Sequence, residues 1–152
     1  SHTIDGMIQY SQVGSPAVSI YNLPYKDGVL EDYASKRGFL RSYAEVCGKE
    51  LPSNLTVAMI GGLCAEGDKE ALQSFYNVGD ILATELKPLL EKFNIECLLF
   101  GGQISRSFRF FEPAIARLKE EVATLKHISP MQNLSTAAAL GLLSKLREEM
   151  GC

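Results

Sequence analysis

Between Gly67 and Phe93, apolar residues recur at spacings of three and four: Ala71, Leu72, Phe75, Val78, Leu82, Leu86, Leu89, Leu90 and Phe93. One continuous stripe of this period specifies a long amphipathic helix that must find a core to cover. Gly67-Asp68 opens it, and Pro88, which lacks an N–H, is expected to kink its last turns. Directly beyond comes Glu96-Cys97-Leu98-Leu99-Phe100-Gly101-Gly102-Gln103. Ile95 to Phe100 is too short and too apolar for a surface helix, so it reads as a strand buried on both faces. Two glycines at its carboxyl end permit a sharp turn and let a flat ligand lie against main chain with no Cβ in the way. Ligands of open α/β sheets sit outside the carboxyl ends of strands. A tight strand-to-helix turn without a ligand is the alternative reading of the same two glycines.

Around this pair the chain reads as α/β. Met7 to Gln12 alternates as a strand after the hairpin signal Asp5-Gly6, Ala17 to Leu23 is a second strand candidate, and Pro24 to Gly28 makes a turn. Leu30, Tyr33 and Ala34 share a helical face, as do Phe39, Leu40, Tyr43, Ala44 and Cys47, with Gly38 between them as a break or kink. Asn54 or Ser53 is read as the cap of a short helix carrying Val57, Ala58, Ile60 and Leu63 and ending near Gly67. After the glycine pair, a helix from about Ser107 through Val122 buries Phe108, Phe111, Ile115, Leu118 and Val122 and turns its Arg and Lys residues to solvent. His127-Ile128-Ser129 forms a last short strand, and Ser135 caps a terminal helix from Thr136 to about Glu149. The expected architecture is a single α/β domain over residues 1–152, with an edge hairpin and a small sheet layered with helices.

Composition narrows the function classes. A chain of 152 residues suits one domain with a real core. Net charge is −3, and no basic tract interleaved with aromatics marks a nucleic-acid surface. Apolar runs break well short of the ~20 residues that cross a bilayer, so neither a membrane span nor a secretory leader is expected. Cys47, Cys64, Cys97 and Cys152 form no Cys-x-x-Cys pair, and three lie inside apolar patterns. They read as buried reduced thiols of a cytoplasmic protein rather than as disulfides or metal ligands. His127 stands alone between a Lys and an apolar strand, and Ser105 and Ser107 have no His-Asp partnership to activate them. Arg106 and Arg109 follow the glycine turn, where they could meet phosphate or simply form the wet face of a helix.

Several segments taken in order resemble the C-terminal half of the ROK family of repressors, open reading frames and sugar kinases. They are Leu30-Glu31-Asp32-Tyr33-Ala34-Ser35, then Ala65-Glu66-Gly67-Asp68 opening a long helix, then Leu98-Leu99-Phe100-Gly101-Gly102, then Ser135-Thr136-Ala137-Ala138-Ala139-Leu140-Gly141. The resemblance implies the actin-like, hexokinase-like ATPase fold, in which two α/β lobes close on a sugar and ATP, this chain being the C-terminal lobe. It implies that Gly101, Gly102 and Gln103 border the adenosine of ATP and that the Glu31 carboxylate accepts a hydrogen bond from a sugar hydroxyl. A first-turn helix carboxylate complementing the helix dipole is the alternative reading of Glu31. The implied partners are a sugar and Mg-ATP, and the resemblance admits a homodimer.

The departures from the family pattern bear on catalysis. The aspartate base and first phosphate loop belong to the other half, and the second, Gly-Thr-Gly-type loop is expected just upstream of Thr3-Ile4-Asp5-Gly6. Where a Glu-x-Gly-His segment is expected, the chain reads Ser15-Pro16-Ala17-Val18. The cysteine-rich zinc loop is reduced to Leu23-Pro24-Tyr25-Lys26-Asp27-Gly28, without Cys or His, so no zinc is expected. No residue here is assigned as catalytic. The chain alone is expected not to phosphorylate sugar, although its parent would. The second reading is the sugar-sensing domain of a ROK-type repressor or a non-catalytic pseudo-kinase. A purely structural interaction domain is the third. An upstream helix-turn-helix would mark a repressor, and an Asp-x-Gly-Gly-Thr loop a kinase.

Overall fold

The computed structural model describes residues 3–4, 7–13, 19–20 and 22–131. The expected terminal helix from Thr136 lies outside them. A short antiparallel pair, β1 (Thr3–Ile4) and β2 (Met7–Ile8), leads the chain, with Ile4 opposite Met7. The expected strand to Gln12 therefore stops early, and Gln12 and Val13 lie in a turn. Ser19, Ile20, Asn22 and Leu23, the described part of the second expected strand, carry no strand structure. Instead a tight antiparallel hairpin forms where a turn was expected: β3 (Pro24–Tyr25) pairs with β4 (Gly28–Val29) around Lys26-Asp27. Lys26 takes a left-handed φ of 49°, which closes so short a connection.

Helix α1 (Leu30–Ala34) grows directly from β4. The Val29 N–H donates to Asp32 Oδ2 at 3.3 Å, and the Leu30 N–H donates back to the Leu23 carbonyl at 2.8 Å. Extended backbone at Ser35 then separates α1 from α2 (Lys36–Cys47), so the break falls at Ser35 and not at Gly38. Gly38 serves a different purpose. A Cβ built there would lie 2.1 Å from the Tyr33 carbonyl, because the first turn of α2 folds back onto the last turn of α1. Helix α3 (Val57–Ala65) is capped by Thr56, whose hydroxyl accepts from the Met59 N–H, rather than by Ser53 or Asn54.

Asp68 caps α4 (Lys69–Lys92) by accepting from the Ala71 N–H at 2.8 Å, and the helix continues through Pro88. Its predicted stripe is the centre of the core. Phe75, Val78 and Ala83 are fully buried, and Phe75 stacks on Phe39 of α2 with ring centroids 4.6 Å apart. Buried hydroxyls in this interface are paired: Ser42 donates to the Ser74 carbonyl, and Ser74 to the Ala71 carbonyl.

Strand β5 (Cys97–Phe100) pairs in parallel with β6 (His127–Pro130). A 3₁₀ turn (Gln103–Ser107) follows the glycines, and the expected 107–122 helix divides into α5 (Phe108–Ile115) and α6 (Leu118–Glu121). Between them the backbone tightens into three-residue hydrogen bonds, Lys119 N–H to Ala116 and Glu120 N–H to Arg117. Phe108, Phe111, Ile115, Leu118 and Val122 are all buried as the spacing predicts. Phe111 contacts the rings of Phe39, Phe100 and Phe108, which joins α2, β5 and α5 in one aromatic cluster. Gly79 lets α5 cross α4 closely, since a Cβ there would meet the Phe111 carbonyl at 2.7 Å. Among the described residues the result is a mixed α/β arrangement of three two-stranded sheets on a helical core. Among the described residues no helix is long and apolar enough to cross a membrane.

Candidate functional site

The glycine pair sits, as expected, at the carboxyl end of β5, but β5 is not buried on both faces. Phe100 is buried, whereas Cys97 and Leu99 face outward, Leu99 at 53% exposure. In a two-stranded sheet only the side packed on α5 is covered, and alternation of side chains exposes the other. Cys97 is thus an exposed thiol, Cys47 is half-buried and Cys64 is buried.

The two glycines sit in different surroundings. A Cβ on Gly101 would press on the Met131 sulfur at 2.8 Å, where the segment after β6 crosses and the Met131 N–H donates to the Phe100 carbonyl. Gly102 has φ 71° and ψ −162°, a conformation that is essentially glycine-only, and nothing lies within 4 Å of where its Cβ would be. Behind it the buried Ser105 hydroxyl donates to the Gly102 carbonyl at 2.8 Å. Gln103 begins the 3₁₀ turn and is exposed, as is Arg106. Arg109 covers its own neighbour, its guanidinium carbon 4.6 Å from the Phe110 ring centre. The edge is therefore a braced turn with open space before its main chain.

Glu31 occupies the first turn of α1 and is exposed. Its neighbour Asp32 caps the Val29 N–H and pairs with Arg37 at 2.9 Å. The two adjacent carboxylates thus differ in employment: Asp32 fastens the helix, and among the described residues Glu31 makes no side-chain hydrogen bond or ion pair.

A constellation absent from the sequence reading surrounds Tyr33. Its hydroxyl donates to Asp27 Oδ1 in the hairpin turn. Its ring receives the edge of Tyr25 at 4.8 Å, the Lys26 ammonium at 5.3 Å and the Arg41 guanidinium at 4.4 Å. The hydrogen bond from Tyr33 holds the Asp27 carboxyl below its ordinary range, and the same bond raises the Tyr33 phenol. Two clefts, of about 250 and 270 Å³, flank this cluster and share Tyr33 and Arg41 in their walls. Glu31, Gly101, Gly102 and Gln103 line neither cleft. Spacing had shown Tyr33 only as a member of an apolar face. The available signal was Tyr25-Lys26-Asp27-Gly28, a turn tetrapeptide carrying a ring, a cation and a carboxylate. Among the described residues no group of three or more His, Cys, Asp or Glu side chains is placed to hold a metal ion.

The sequence model of the ROK family matches residues 25–144. Comparison with curated protein sequences finds no significant match. Among solved structures, a candidate sugar kinase from Cytophaga hutchinsonii superposes with TM-score 0.79 at 18% identity, over 94% of this chain and 52% of that one. A ROK family transcriptional regulator, a homologue of the E. coli MLC protein, gives 0.56 at 21% identity over 83% of this chain and 32% of that one. A ROK hexokinase from Thermus thermophilus gives 0.57 at 16% identity over 78% of this chain and 41% of its own. The chain spans about half of the first of these structures and less of the other two.

Proposed function

This chain belongs to the ROK family and has the actin-like, hexokinase-like fold of its sugar kinases, and from that premise we propose that it is the nucleotide-side, C-terminal lobe of a sugar kinase-like protein. In this reading Glu31 contacts a sugar hydroxyl, and Gly101, Gly102 and Gln103 border adenosine. The observation that carries it is the contrast between two neighbouring carboxylates. Asp32 performs the capping and ion-pairing work of the helix start, so Glu31 is not needed for either. Glu31 is left exposed with acceptor capacity, and an ionised carboxylate is a strong acceptor for hydroxyl donors.

Gly102 supports the nucleotide half of the reading. No atom lies within 4 Å of where a Gly102 Cβ would stand, so a flat group such as adenine could approach the main chain there without meeting a side chain. Bound Mg-ATP would supply the phosphoryl group and its charge neutralisation. This chain's own part is to orient: the glycine edge excludes side chains from the base, and Glu31 fixes one hydroxyl of the sugar. A general base and phosphate-cradling loops are needed besides, and no aspartate in this sequence stands in such a context, so turnover is assigned to the whole protein. A sugar-sensing relative without turnover is the second reading, favoured by Ser15-Pro16-Ala17-Val18 in place of a Glu-x-Gly-His segment.

Calorimetry with D-glucose and N-acetyl-D-glucosamine on the chain and on Glu31→Gln tests the sugar half. Binding of either sugar, weakened at least tenfold in the variant, supports it. Equal binding by both forms, or binding by neither, removes it.

A further inference from the structure

We propose that Asp27 and Tyr33 are positioning residues for Glu31: together they lock the β3–β4 hairpin to the helix that presents this carboxylate. The inference rests on the reading of Glu31 as the sugar-contacting group. Helix α1 is only five residues long and could not hold its own geometry in isolation. It is held from three sides. The hairpin turn reaches forward through Asp27 to the Tyr33 hydroxyl, two residues beyond Glu31. Asp32, the residue directly after Glu31, accepts from the Val29 N–H and pairs with Arg37, which ties the start of α1 to β4 and to α2. Helix α2 closes the third side, with Gly38 pressed onto the Tyr33 carbonyl and Arg41 over the Tyr33 ring.

Tyr33 is the residue common to two of these restraints. Tyr25 and Lys26 of the hairpin both lie against its ring, so the hairpin, α1 and α2 meet on one side chain. Because Asp27 and Tyr33 act through Glu31, removing their bond should loosen the loop-helix junction without touching the ligand.

The test uses three variants. Tyr33→Phe removes the donor and keeps the ring, and Asp27→Ala removes the acceptor. Asp27→Asn keeps an oxygen acceptor and serves as the rescue. The hydrogen bond to a charged group is worth roughly a tenfold to hundredfold bias toward the closed junction. Amide hydrogen exchange at residues 28–34 is therefore expected to speed up about tenfold in Tyr33→Phe and Asp27→Ala, with α4 unchanged and Asp27→Asn close to the parent. Calorimetric affinity for D-glucose or N-acetyl-D-glucosamine should fall three- to thirtyfold in the first two variants, and the double variant should be no worse than either. Unchanged exchange in Tyr33→Phe, or faster exchange with full sugar affinity, overturns the positioning role while Glu31→Gln still abolishes binding. If the parent chain binds neither sugar, or Glu31→Gln binds as well as the parent, the sugar reading fails, and the positioning role fails with it.

Discussion

Replacing Gly38 with alanine sets two physical effects against each other. On helix propensity alone the change should stabilise by ~1 kcal/mol, because glycine has the larger backbone entropy to lose. The structure predicts the opposite. The new Cβ would stand 2.1 Å from both the carbon and the oxygen of the Tyr33 carbonyl and 2.9 Å from its Cα. Carbon contacts are optimal near ~3.5–4.0 Å, so the overlap exceeds an ångström and is against backbone, which no rotamer change can relieve. Helix α2 would have to lift off α1. Overpacking of this kind costs ~1–3 kcal/mol or more, and because the overlap is with backbone the upper end applies, which against the ~1 kcal/mol propensity gain leaves a net loss of about 2 kcal/mol. At ~2–4 °C per kcal/mol for a chain of this size, the melting temperature should drop by about 4–8 °C. Two further glycines calibrate the result. Gly79→Ala, which meets the Phe111 carbonyl at 2.7 Å, should also destabilise, whereas Gly62→Ala in α3, with nothing within 4 Å, should gain ~0.5–1 kcal/mol. Thermal melts of the three variants side by side decide the matter. Gly38→Ala as stable as the parent, or more so, would refute the close approach of α1 and α2.

Other expectations are as direct. Gly102→Ala should cost ~1–3 kcal/mol through its φ of 71° alone, measurable as a lower urea midpoint, whereas Gly101→Ala meets only the flexible end of Met131 and should cost less. Phe111→Ala empties the centre of the aromatic cluster and should cost ~3–5 kcal/mol, the largest loss among the single changes considered, by the same urea assay. In a Cys152→Ser background, Ellman's reagent at pH 8 should label Cys97 first and Cys47 more slowly, and should reach Cys64 only on unfolding. Burial pushes the Cys64 thiol up to about 11 and the Tyr43 phenol up to about 12. Both groups stay neutral in the folded chain after the unfolded chain has ionised them. Their contribution is complete below the unfolded values, ~8.5 and ~10, and is lost as pH rises toward the folded ones. The urea midpoint should therefore hold to about pH 8.5 and decline across pH 9–12, and a midpoint flat to pH 11 would contradict this.

What could be read from the residues depended on the range of the forces involved. The α4 stripe and the buried face of Phe108, Phe111, Ile115, Leu118 and Val122 were legible because a helix repeats its core contacts every three or four residues. Gly67-Asp68 was legible as the start of α4 because helix-start signals are local, and the structure shows Asp68 to be its cap. The break at Ser35 was displaced to Gly38 because glycine marks both chain bends and close approaches, and only the packed structure shows that Gly38 is the second kind. The exposed face of β5 was misread because an apolar run does not say how many faces its sheet covers. The glycine turn after β5 was legible from the residues themselves, whereas the ligand roles proposed for Glu31 and the glycine pair come from family resemblance, with the structure adding that Asp32 fastens the helix. The Tyr33 hub was invisible, since it joins a hairpin turn, a helix and a second helix through one ring.

The central claim is that the sugar-facing carboxylate and the open glycine edge of this ROK chain are two ligand surfaces of one lobe. Amide chemical-shift mapping during titration with D-glucose and Mg-ATP tests it most directly. The account predicts that D-glucose moves the amides of residues 30–32 and that Mg-ATP moves those of Gly101, Gly102 and Gln103, with Lys26 and Arg41 unaffected. Shifts confined to the clefts beside Tyr33, or none at either surface at millimolar ligand, would contradict it.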